Sequence, residues 1–154
     1  MKLQLKHNSG FFSCCSVACY DIIEHIKKYQ SVPELDFSKI FSWYKDSEDR
    51  DIYDMYFKYN KSQALDVDKI SKTKYPKRAL FDYKNEDLTN INPIIKKWFS
   101  PSDLVLDYVD LFTKKYKINP EDTLAICFRG TDKYKDIDEP SYQNFISQVP
   151  SIIK

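Results

Sequence analysis

Apolar and polar positions along this chain follow two different periods, separated by a stretch with neither. Residues 2–6, Lys-Leu-Gln-Leu-Lys, alternate with the two-residue period of a strand. His7-Asn8-Ser9-Gly10 then reads as a turn. Ser13 is placed to cap a helix running to about Tyr29, in which Cys15, Ala18, Cys19, Ile22, Ile26 and Tyr29 recur at the helical period. His25 is read as a surface residue of that helix. Pro33 closes this strand–loop–helix unit.

Beyond it the pattern weakens. Phe37, Ile40, Phe41 and Trp43 suggest a second strand, and Asp51 to Tyr59 a short aromatic helix. Residues 61–90 are polar and weakly periodic, which predicts loops and short elements. From Ile91 the helical period returns, with Ile91, Ile94, Ile95, Trp98 and Phe99 on one face. A further helix follows, with Ser100 as expected N-cap, Pro101 at its first position and Asp103 as the capping-box acid. Phe99 and Leu104 are spaced as a hydrophobic staple, and the helix body runs through Val105, Tyr108, Val109 and Phe112 to Tyr116. Asn119 to Asp122 reads as a turn. Thr123 to Phe128 is nearly all apolar, as in a buried parallel strand. Pro140 opens a last helix through Tyr142, Phe145, Ile146 and Val149.

Bulk composition narrows the class. Hydrophobic residues make up 42% of the 154-residue chain, enough to bury a core, so wholesale disorder is excluded. The formal net charge is +1, which argues against a general nucleic-acid or membrane-surface binder. The first ten residues contain no apolar leader core and no run reaches membrane-spanning length. A soluble, cytoplasmic protein is the expectation. Cys14, Cys15, Cys19 and Cys127 fit a reduced compartment. Their spacing is poor for zinc, so buried small apolar side chains are expected there and no metal.

The chain has two glycines, and each sits where a strand gives way to a loop and helix. Glycine reaches positive φ and admits close backbone approach by a ligand. In open α/β sheets that end of the strands is where ligands bind. His7, Asn8, Ser9 and Gly10 are therefore candidates to line a crevice, with His7 as a general base. The alternative is an ordinary polar turn. Around the second glycine, Phe128-Arg129-Gly130-Thr131-Asp132-Lys133 offers a guanidinium fork, a sharp turn and a further cation. That combination suits a phosphate or pyrophosphate clamp. A strand-end turn with a solvated ion pair is the competing reading.

This last stretch resembles the donor-site motif of α1,6-fucosyltransferase-like glycosyltransferases, the family of the vertebrate core and rhizobial nodulation enzymes. The resemblance extends over about residues 94–149. It takes in Lys96-Lys97-Trp98-Phe99-Ser100-Pro101 upstream and Glu139-Pro140-Ser141-Tyr142 downstream. It implies an α/β fold: a Rossmann-like N-terminal lobe of a GT-B glycosyltransferase plus the first βα unit of the second lobe. Residues 1–99 would form the acceptor-side lobe, and 100–154 the connecting helix and the start of an incomplete donor lobe. It implies GDP-fucose or another nucleotide sugar as donor, a glycan acceptor, no metal and no cofactor. Arg129 would contact the donor diphosphate, and Gly130, Asp132 and Lys133 would shape its site. Gly130 stands where the family carries a second arginine, and Cys127 where it often carries histidine. Most of the family's donor lobe lies after this motif, so a partner chain or oligomer completing the second lobe is a further expectation. The alternative function is a non-catalytic remnant or split subunit that acts by association. A lipase-like α/β-hydrolase would need a Gly-x-Ser-x-Gly elbow, which Gly10 and Gly130, at opposite ends of the chain, do not form.

Overall fold

The structure, a computed structural model, describes residues 2–47, 51–75 and 88–123, together with Gln143 and Ser147. The chain divides into two compact units, Met1–Phe112 and Thr113–Lys154. The expected strand Thr123–Phe128 apart from Thr123, the Arg129–Lys133 motif, and the expected last helix apart from Gln143 and Ser147 lie outside the described residues.

The first unit is mixed α/β, with one small parallel and one small antiparallel sheet among the described residues. Strand β1, Lys2–His7, leads through the predicted turn into helix α1, Phe11–Tyr29. Strand β2, Glu34–Ile40, returns beside β1 and pairs with it in parallel, Lys2 opposite Glu34 and His7 opposite Ile40. The register slips between Gln4 and Lys6, so Lys6 pairs with Lys39.

Helix α1 packs on β1 and buries Cys14, Ala18, Cys19, Ile22, Ile23 and Ile26. Its start differs from the sequence reading. Gly10 is the N-cap and no side chain caps the helix, because the Ser13 hydroxyl is engaged with His7 instead. A missing cap costs about 1 kcal/mol. Each fully buried isoleucine contributes about 2 kcal/mol, so burial of Ile22, Ile23 and Ile26 outweighs it. Cys15 is only half-buried and Tyr29 is exposed, whereas His25, expected at the surface, is buried. The helix ends at Gln30, which takes the left-handed conformation and donates its N–H to the Ile26 carbonyl.

Trp43 lies past the end of β2, in a 3-10 turn over Ser42–Tyr44, and is 68% exposed. The aromatic segment gives a four-residue helix, α2, Tyr53–Tyr56, which runs directly into β3, Phe57–Lys58. In the polar stretch, α3, Val67–Ser71, is capped by the Asp66 carboxylate accepting from the Lys69 N–H, and it buries Ile70. A 3-10 turn at Leu88–Asn90 precedes α4, Asn92–Trp98, whose Ile94 and Trp98 are buried. Ile91 and Phe99 flank α4 and are buried as expected, but Ile95 is exposed.

The next helix starts later than its sequence suggests. Ser100–Pro101 form β4, antiparallel to β3, and α5 spans Asp103–Tyr116. Ser102 takes the capping role, its Oγ accepting from the Val105 N–H at 3.3 Å. The staple does not form: Phe99 packs edge-on against Phe37 and Phe57, and Leu104 is half exposed.

Candidate functional site

Four residues predicted to line a crevice come together at the carboxyl end of β1. His7 ends the strand, and its Nε2 lies 3.2 Å from Ser13 Oγ in the first turn of α1. The Asn8 amide oxygen accepts a hydrogen bond from the Ser42 hydroxyl, which ties this turn to the segment after β2. The Cys14 thiol donates to the carbonyls of His7 and Ser9, both at 3.6 Å. A small buried side chain thus holds the turn from below.

Gly10 departs from the expected role of glycine. Its φ is −54°, a value open to any residue, and a Cβ there would meet nothing within 4 Å. Neither backbone conformation nor internal packing requires glycine at this place. Positive φ occurs instead at Phe41, at 63°, immediately after β2. A buried aromatic residue in the left-handed region carries about 1–3 kcal/mol of strain. It redirects the chain so that Ser42 meets Asn8 and the Tyr44 hydroxyl accepts the Phe11 N–H at 2.7 Å. The Phe11 ring sits among Phe41, Tyr44, Tyr56 and Phe57, with centroids 5.0 to 5.5 Å away. An aromatic cluster therefore anchors the start of α1.

The electrostatics favour an anion or a polarised hydroxyl. Lys6 and Lys39 are register partners, and like charges so placed repel. Among the described residues neither makes an ion pair. Helix α1 has no acidic residue in its first turn, so the positive end of its dipole is uncompensated. A depression of about 400 Å³ opens here, lined by Gln4, Lys6, His7, Asn8 and Lys39. The strand-to-helix transition in the sequence points to His7 and Asn8. It gives no sign of Lys6 and Lys39, which become neighbours only through the β1–β2 register, and it casts Ser13 as a cap rather than as the partner of His7.

Cys14, Cys15 and Cys19 are free thiols. Burial, with Cys14 adjacent, pushes the Cys15 thiol up to about 12. Burial, with Cys15 adjacent, does the same to Cys19. Among the described residues, no group of three His, Cys, Asp or Glu side chains is arranged to hold a metal ion. No helix of the described residues is long and apolar enough to cross a membrane. Arg129, Gly130, Asp132 and Lys133 lie outside the described residues. No family model matches the chain, and neither a curated protein nor a solved structure matches it.

Proposed function

We propose that this chain is a nucleotide-sugar-dependent glycosyltransferase of the fucosyltransferase-like kind, moving fucose from GDP-fucose to a glycan hydroxyl. The supporting observation is the His7–Ser13 pair, at 3.2 Å, beside an open depression at the carboxyl end of a parallel strand. In this reading β1, α1 and β2 open a Rossmann-like lobe of a GT-B enzyme that faces the acceptor. An acceptor hydroxyl that replaces Ser13 as the partner of His7 Nε2 would hand its proton to the imidazole. Its oxygen would then attack the anomeric carbon, and the bond from that carbon to the donor phosphate would break. GDP leaves with the bonding electron pair. Arg129 would stabilise the charge that develops on the diphosphate, with Asp132 and Lys133 beside it and Gly130 allowing close approach. No metal enters this scheme.

Calorimetric titration with GDP-fucose tests the donor half. Measurable affinity is expected, with a loss of about 100-fold in Arg129→Ala. His7→Ala should keep that affinity while turnover falls by about 10²–10⁴. A chain with no affinity for GDP or GDP-fucose would overturn the reading. In that event a subunit acting through association with a partner chain is the second reading, favoured by exposed Leu104, Tyr108 and Leu111 on α5.

A further inference from the structure

A second and larger cavity, of about 740 Å³, opens at the opposite end of the parallel sheet, where β2 begins. That volume falls in the range of small-molecule sites. Its walls come from the start of β2, the 59–65 segment and the end of α4, all within the first unit. Nothing in the His7 crevice contributes to it, so a ligand bound here is independent of the glycosyltransferase reading.

Lys97 is the informative residue. It is only 7% exposed, yet it lines the cavity. Its ammonium donates to the Gln63 carbonyl at 2.8 Å and lies 5.0 Å from the Tyr59 ring centroid and 5.8 Å from that of Trp98. None of the ion pairs among the described residues involves it. An ammonium carries three donors, and one carbonyl satisfies one of them. Buried charges are normally paired, because an uncompensated one carries a large desolvation cost. The two rings offset part of that cost. A carboxylate entering the cavity would offset the rest.

The remaining walls describe the body of such a ligand. The Tyr59 ring is half exposed and offers an apolar plate, and the stacked Phe37 and Tyr53 rings also line the cavity. Glu34 and Asp51 also line the cavity and can accept hydrogen bonds from hydroxyl groups. The same two carboxylates disfavour a ligand with more negative charge than a single carboxylate, since Lys97 is the buried cation on these walls and Lys61 is exposed. A ring with one negative charge and several hydroxyls fits these walls; a nucleoside diphosphate does not. We propose that this cavity binds a hexuronate, a pyranose carrying a single carboxylate, with that carboxylate on Lys97 and the sugar face on Tyr59.

The chain has two tryptophans, so in a Trp43→Phe background Trp98 is the sole indole reporter. Titration of that protein with glucuronate should give a saturable change in emission with a millimolar dissociation constant. Glucose, GDP and acetate should not. Lys97→Met should weaken binding by at least about tenfold, with its thermal unfolding recorded to confirm a folded chain. Tyr59→Ala, at a half-exposed position, should weaken it without depending on the fate of the buried lysine. No saturable change with glucuronate would overturn the proposal. So would an equal response to glucose, GDP or acetate, or unchanged affinity in both variants.

Discussion

Gly10 and His25 depart from their sequence readings for physical reasons that can be stated. Glycine at position 10 suggests positive φ or close approach of a ligand to the backbone; its φ is −54° and the space a Cβ would fill is open. Gly10→Ser would place a hydroxyl where α1 lacks a side-chain cap. It should raise stability by a few tenths of a kcal/mol, read from the urea midpoint. His25 lies on the buried flank of α1, its ring 4.7 Å from Tyr29, and its Nε2 has no hydrogen-bond partner. Burial holds its pKa below the ordinary value, with Lys28 adding to the effect. The unfolded chain therefore takes up this proton at a higher pH than the folded one. The contribution to stability is full above about pH 6.5 and is lost as the pH falls through and below that value. Comparing urea midpoints at neutral and mildly acidic pH should show a smaller loss in His25→Phe than in the parent.

At the scale of elements, boundaries are hardest to read where long-range pairing decides them. Ser100-Pro101-x-Asp103 has the local form of a helix start, yet the helix begins two residues later. Ser100 and Pro101 pair with Lys58 and Phe57, a partnership that no local pattern announces. Ser102 then has two duties: it caps α5 and donates its hydroxyl to the Met55 carbonyl at 2.7 Å. Ser102→Ala should therefore cost about 1–2 kcal/mol in chemical unfolding. Ser100→Ala, which loses one exposed bond to the Lys96 carbonyl, should cost less. By contrast β1 and α1 are legible because each carries a strong period of its own, whereas β2 is legible only as an apolar cluster whose bounds are displaced. The short helix α3 is not, since one turn buries little besides Ile70 and leaves no periodic trace.

For the whole molecule, the sequence carries the mixed α/β character and points to His7 and Asn8, which line the depression at the end of β1, but also to Ser9 and Gly10, which do not. It does not carry the electrostatics of that crevice, which arise when register sets Lys6 beside Lys39. Nor does it carry the Lys97 cavity, because the walls are drawn from separate segments that meet only in the folded chain. The parallel pairing of β1 with β2 also bears on the order of events during synthesis. Parallel neighbours cannot be joined by a tight turn, and here the connection is α1 itself. β1 leaves the ribosome first but has no ladder partner until β2 follows. α1, whose hydrogen bonds are all local, can form in the interval. In that interval Ala18, Ile22 and Ile26, on the buried face of α1, are available to β1 before β2 arrives.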